Sequence, residues 1–208
     1  MHIPDGFIDA PTSLAAGAAA VGVNAICVAP VGDLIADKQA PMAGLVAAFI
    51  FAGQMLNFPV AGGTSGHLLG GALGAILVGP YLGTLCVSVV LVVQALLFAD
   101  GGLSALGLNV INMAAVGAFA GYGAFLLARR VLPATRRGVV AASSVAALLS
   151  VVLAALAFTA EYALGGAGGA SLTRVAGAAG GVHILIGVGE ALITGMPVSA
   201  VMTVRPDL

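Results

Sequence analysis

From Gly138 to Ala160 the chain reads GVVAASSVAALLSVVLAALAFTA, an uncharged run with the length needed to cross a hydrocarbon core about 30 Å thick. Backbone amides have no water to bond inside lipid, so such a run satisfies them internally as a helix. Comparable runs recur along the sequence. They predict spans at about 11–32, 40–57, 67–79, 81–98, 106–128, 138–160 and 178–202. The expected fold is all-α: a polytopic membrane protein of about seven transmembrane helices, forming a single integral domain over 1–208. Within it, residues 1–10 form an amino-terminal segment and 11–208 the seven-helix bundle. Charge supports this, since 7% of residues are charged against roughly 25% in soluble domains. The chain has no basic face for nucleic acid; its large partner is the lipid bilayer.

The third span, HLLGGALGAILVG, is too short for an ordinary crossing helix. It is fed by the Gly-rich stretch PVAGGTSGH and stopped by Pro80. Short segments interrupted by Gly and Pro point to a ligand site in a transporter.

Seven spans place the termini on opposite sides. With the amino terminus outside, Lys38, Arg129, Arg130, Arg136, Arg137 and Arg205 all face the cytoplasm, and Arg174 alone lies outside. This satisfies the positive-inside rule and puts the carboxyl terminus in the cytoplasm. His2, His67, Gln54, Gln94, Asp100, Asn109, Asn112 and His183 then share the outer half, as a capture site open to the outside requires. Cys27 and Cys86 read as buried small hydrophobes. No basic residue precedes the first apolar stretch, so no cleaved signal peptide is expected, and the bulky His2 favours retention of Met1.

His2 beside a free amine has distinctive chemistry. The Met1 amine, the His2 amide nitrogen and the His2 imidazole close a five- and a six-membered ring around one metal, leaving one in-plane position for His67. Tetragonal nitrogen donors suit Ni(II) or Cu(II), and Co(II) is accepted with a distorted or expanded shell. The donors must lose protons, so binding should weaken as pH falls. Around this set, Asp5 is a candidate for folding the amino-terminal segment back, and Asn57, Thr64, Ser65 and His183 for supporting the loops and imidazoles. Each also has an ordinary reading as a turn, solvated or interior hydrogen-bonding residue. Glu190 shares a helical face with His183 and receives no catalytic role.

Three stretches carry a resemblance: MHIPDGF at the start, QMLNFPVAGGTSGHLLGGALGAILVGP at 54–80, and QALLFADGGLSALGLNVINMA at 94–114. They resemble the CbiM/NikM family, the substrate-binding membrane components of energy-coupling-factor transporters for cobalt and nickel. The resemblance implies Met1, His2 and His67 as metal ligands, Ni(II) or Co(II) as transported substrate, and no organic cofactor. It also implies an extra first helix before a six-helix core, in the cytoplasmic membrane of a prokaryote. Its implied partners are a transmembrane coupling protein, ATP-binding cassette subunits and a small auxiliary membrane protein of the CbiN/NikN type. The only lysine is Lys38, in DLIADKQAP, so the chain has no GxxxxGK[ST] loop and hydrolysis belongs to other chains. Ala43, Gly44, Ala47 and Ala48 form a small-xxx-small pattern that could dock the coupling protein or pack internally.

Other functions fit less well. An intramembrane metalloprotease needs clustered ligands such as H-E-x-x-H, and these histidines are isolated. A solute channel needs polar residues along its whole length. A metal-free structural subunit would tolerate an extended amino terminus.

Overall fold

A computed structural model describes residues 1–34, 40–56, 58–59 and 65–204. Among these residues are seven helices. They are α1 (Ala10–Leu34), α2 (Ala40–Met55), α3 (Gly71–Val78), α4 (Pro80–Leu97), α5 (Leu106–Val131), α6 (Arg136–Gly165) and α7 (Leu172–Val204). Strands β1 (Phe58–Pro59) and β2 (Ser65–Gly66) pair antiparallel between α2 and α3. Helices α1, α4, α5, α6 and α7 are long and apolar enough to cross a membrane, and α2 is a shorter apolar helix of 16 residues.

The third expected span is corrected in extent. Only Gly71–Val78 is helical, about 12 Å of axial rise, while 67–70 is non-helical chain buried in the bundle. The chain turns into α3 at Gly70, whose φ of +79° is open to glycine and costly for other residues. At the other end Gly79 breaks the helix and Pro80 starts α4 at its first turn, where a missing N–H costs nothing. Gly71–Ala75 are all buried against α4, α5 and α6.

The main core gathers Ile50 of α2, Leu69, Leu91 of α4, Met113 of α5, Val151 of α6 and Ile186 of α7. Helices α6 and α7, of 30 and 33 residues, make the most extensive helix pair. Their short connection makes them antiparallel neighbours. Helix α1 lies at the periphery, with Leu14, Val21 and Ile26 exposed. An apolar cavity of about 940 Å³ lies between it, α4 and α5. In α5 the residues Val110–Val116 widen into a π-helical turn beside the site described below.

Small residues allow the backbones to meet. A Cβ on Gly83 would stand 2.6 Å from the Ala75 nitrogen and 2.7 Å from the Gly74 carbonyl carbon, whereas one on Gly180 would meet nothing within 4 Å. Gly83→Ala should therefore destabilise the protein by about 1–3 kcal/mol through overpacking. Gly180→Ala should be neutral or stabilising, because alanine loses less backbone entropy in a helix. Thermal unfolding of the two variants in detergent checks this, and equal melting temperatures would contradict the close α3–α4 packing.

Candidate functional site

The first nine residues fold back over one end of the bundle. The Ile3 N–H donates to Asn109 Oδ1 at 2.8 Å, and Asn109 Nδ2 donates to the Ile3 carbonyl at 3.3 Å. That carbonyl also accepts from Gly102 N–H at 2.9 Å. Asp5 Oδ1 accepts from the Ser104 N–H at 2.8 Å and from its hydroxyl at 2.5 Å. These Ser104 bonds hold the Asp5 carboxyl below its usual range. A side chain at Gly102 would collide with Asp5, which explains a glycine there. Further along, Ala167 N–H donates to the Phe7 carbonyl and Asp9 N–H to the Gly165 carbonyl, while the Phe7 ring packs against Phe158 and Tyr162. The segment is thus pinned to both the α4–α5 and the α6–α7 connections.

This pinning places the Met1 nitrogen 2.6 Å from His67 Nε2. His67 is 6% exposed, and its Nδ1 lies 2.8 Å from the Leu68 carbonyl. A carbonyl only accepts, so Nδ1 bears the hydrogen and Nε2 offers its lone pair to Met1. The His2 ring stacks on that of His67, with centroids 4.7 Å apart. Metal–nitrogen bonds of ~2.0 Å at a right angle put the two nitrogens ~2.8 Å apart. The Met1–His67 spacing is close to that edge. His2 Nδ1 faces Asp100 Oδ1 at 3.2 Å and Nε2 faces Gln94 Oε1 at 3.2 Å. A chelate ring through His2 Nδ1 therefore requires the imidazole to turn from Asp100. Among the described residues, no three His, Cys, Asp or Glu side chains gather into a metal cluster. Any nitrogen-rich site here has to draw on main-chain donors.

Burial changes the basicity of the segment. The Met1 amine is lowered from 8.0 to about 5, because burial disfavours its charge more than Asp100 and Glu190 stabilise it. His2 is lowered from 6.5 to about 4, first by burial and then by repulsion from the amine, against the pull of Asp100 and Gln94. Both groups are uncharged at neutral pH, with lone pairs available.

The non-helical stretch leading from His67 into α3 is held from two sides. Glu190 Oε2 accepts from Leu69 N–H at 2.7 Å and Oε1 from Gly70 N–H at 2.8 Å. Gln54 Nε2 donates to the Leu69 carbonyl at 2.7 Å. The sequence reading gave Glu190, Gln54 and Asn109 no positioning role. Their one sequence signal is that polar residues within apolar spans are functional by default. His183 is buried on α7 with Nδ1 2.7 Å from the Ala179 carbonyl. Asn112 Nδ2 donates to Glu161 Oε2 at 2.6 Å.

Asn57 and Thr64 lie outside the described residues, as do Lys38 and Arg205; Ser65 belongs to β2 and pairs with Pro59. The small-residue pattern on α2 divides. Ala43 and Ala47 pack against the Val31–Leu82–Cys86 cluster, whereas Gly44 and Ala48 are exposed. Internal packing therefore accounts for one pair of the proposed docking face. Cys27 and Cys86 are free and buried, as expected.

Residues 2–208 match the family described as CbiM, cobalt uptake substrate-specific transmembrane region. The chain is 41% identical over 208 residues to the fused protein NikMN of Archaeoglobus fulgidus, which covers all of this chain and 68% of that one. It is 37% identical over 130 residues to the fused nickel transport protein NikMN of Rhodobacter capsulatus, covering 62% of this chain and 38% of that one. It is 36% identical over 206 residues to cobalt transport protein CbiM 2 of Pelobacter propionicus, covering 97% and 91%. The crystal structure of a truncated transition metal transporter superposes with a TM-score of 0.88 at 32% identity, over 98% of this chain and 99% of that one. With the family match, the relatives and the superposition in agreement, this multi-pass membrane protein belongs to the CbiM family.

The clasp on Ile3 is open to test. Asn109→Ala removes both side-chain bonds to that residue and should cost about 1–3 kcal/mol locally. Hydrogen exchange at residues 3–9 should speed up while α6 and α7 keep their protection. A uniform loss of protection would instead make Asn109 a general core residue.

Proposed function

We propose that this chain captures Ni(II) or Co(II) outside the membrane for an energy-coupling-factor transporter, with the Met1 amine, the His2 amide and imidazole nitrogens, and His67 Nε2 as donors. The observation that carries the reading is the buried Met1 nitrogen 2.6 Å from His67 Nε2, with the His2 ring stacked alongside. In this reading the metal comes between those two nitrogens and takes a lone pair from each. Relatives named for nickel and for cobalt support both ions as substrates.

The inferred orientation has the amino terminus outside. It is supported by Arg129, Arg130, Arg136 and Arg137, which cluster around the α5–α6 connection. Arg136 also reaches Ser199 near the carboxyl end of α7, so this basic end and the carboxyl end of α7 lie together. Energy comes from separate ATP-binding subunits through a membrane coupling protein. Relatives fused as NikMN support a small NikN-type partner. Asp5 holds the amino-terminal segment, and Asn57, Thr64 and Ser65 support His67 from the stretch of sequence before it.

The native protein should bind one equivalent of Ni(II) or Co(II). A single Gly added before Met1, or His67→Ala, should each weaken binding by at least about 100-fold, as expected when a ligand is lost from a polydentate site. Calorimetric titration of the three purified forms decides it. Equal binding by the native and Gly-extended forms would remove the amine from the site.

The pH profile is a separate test. Around pH 7 the amine and imidazole are already neutral, so binding releases about one proton, that of the His2 amide. The logarithm of the affinity should then fall by about one per pH unit. As pH drops below about 5 the amine must also be stripped of a proton, then the imidazole near 4, and the slope should steepen. A slope of two already present at pH 7 would show an amine of ordinary basicity, which is not buried.

A further inference from the structure

The end of α4 presents two side chains to one imidazole. Gln94 Oε1 lies 3.2 Å from His2 Nε2, and Asp100 Oδ1 lies 3.2 Å from His2 Nδ1. Gln94 is fully buried. Its main-chain carbonyl accepts from the Phe98 N–H at 3.0 Å and from the Asp100 N–H at 3.1 Å. One residue thus touches the ring and ties down the turn that carries Asp100. Ala99 completes that turn with φ at +53°, a conformation costly to a residue with a side chain and kept only where the surroundings hold it. At the next position a Cβ on Gly101 would stand 3.2 Å from the His2 Cδ2, so the turn fits closely against the ring.

Both contacts are acceptors, and a neutral imidazole carries a single ring hydrogen. It can donate to Gln94 or to Asp100, not to both. The carboxylate is the stronger acceptor because it is charged, but its side chain is 31% exposed and water competes for it. Metal binding decides between the two. The six-membered chelate ring closes through Nδ1, so a bound metal takes that lone pair and the hydrogen stands on Nε2. The Asp100 contact is then given up, and the Gln94 contact becomes a full hydrogen bond. It is strengthened as well, since the cation withdraws electron density from the ring that donates.

We propose that Gln94 is the positioning residue of the His2 ligand: its Oε1 accepts from Nε2–H and so fixes the tautomer and ring orientation that leave Nδ1 to the metal. The inference rests on the Met1–His2–His67 reading of the site. Histidine ligands are ordinarily held in this way, through the nitrogen that does not meet the metal. His67 already has such a partner in the Leu68 carbonyl at its Nδ1, with Nε2 turned to Met1. Gln94 gives His2 the same support with the two nitrogens exchanged. Reaching a ring at the chain terminus from the last turn of α4, it also anchors the chelate to a helix of the bundle.

The test titrates the native protein, Gln94→Leu and Gln94→Glu with Ni(II) and with Co(II) by calorimetry. Gln94→Leu should weaken both metals on the order of 10–100-fold, as when the outer partner of a histidine ligand is removed. Gln94→Glu keeps an acceptor oxygen at that place and should bind more tightly than Gln94→Leu. A second readout separates positioning from packing. Ni(II) held by four nitrogens in a plane is diamagnetic, so protein with nitrogen-labelled histidine gives a nitrogen–proton correlation spectrum in its loaded form. There the His2 Nε2 hydrogen should be resolved and exchange slowly with solvent, as one held by a buried carbonyl does, and Gln94→Leu should lose that protection. Native affinity or undiminished protection in Gln94→Leu, or Gln94→Glu binding no better than Gln94→Leu, would overturn the proposal while leaving the chelate intact. A native protein that binds neither metal would overturn the chelate itself and the proposal with it. Should the variants fail to fold, Ni(II)-loaded native protein decides alone. A protected His2 Nε2 hydrogen supports the proposal, and one in rapid exchange overturns it.

Discussion

Non-helical backbone is tolerated at membrane depth only where every amide and carbonyl finds a partner in the protein. In this chain that condition falls on the few residues from His67 to Gly70. The Glu190 carboxylate meets it for two of the amides, with one oxygen on the Leu69 amide and one on the Gly70 amide. The Gln54 amide takes the Leu69 carbonyl, and the His67 ring takes the Leu68 carbonyl. A carboxylate fully buried among apolar helices is expensive unless its oxygens are used, and here both are. The break in the helical pattern is what brings an imidazole to the bundle interior. The break is stable because helices α2 and α7 bond to it.

The amino-terminal segment is ordered by the opposite kind of contact. It has no regular structure of its own and borrows its partners from connections between helices, chiefly Asn109, Gly102 and Ser104 on one side and Gly165 and Ala167 on the other. Gly101, with φ at +91°, lets the α4–α5 connection pass beside the His2 ring where a side chain would crowd it. The nine residues are thus held at several points along their length, so that the first nitrogen of the chain is buried and uncharged rather than solvated. Such holding keeps buried and uncharged a terminus that in a free peptide would be mobile and protonated.

Much of this was legible in the sequence, and for definite reasons. Apolar runs report helices directly, so the seven segments and the abbreviated third one follow from hydropathy and from Gly79–Pro80. The three histidines stood out because such residues are rare in apolar chains. The extent of α3 was overestimated because Leu68 and Leu69 are as apolar as the helix they precede; hydropathy does not distinguish a buried strand-like approach from a helical turn. Glu190 could be recognised as unusual but not as a partner of residues 120 positions earlier, since that pairing depends on how α7 lies against α3. The division of the α2 pattern into a packed and an exposed pair depended likewise on tertiary placement.

The Glu190 contact has a consequence for how the chain is made. The support for His67 comes from the last helix, and the residues that clasp Ile3 and Asp9 lie about a hundred or more positions downstream of them. Synthesis proceeds at roughly 5–20 residues per second. The first residues therefore wait on the order of 10–40 s for the helix that completes their surroundings. The surroundings of the Met1 nitrogen are therefore complete only once α7 has packed against the rest of the bundle.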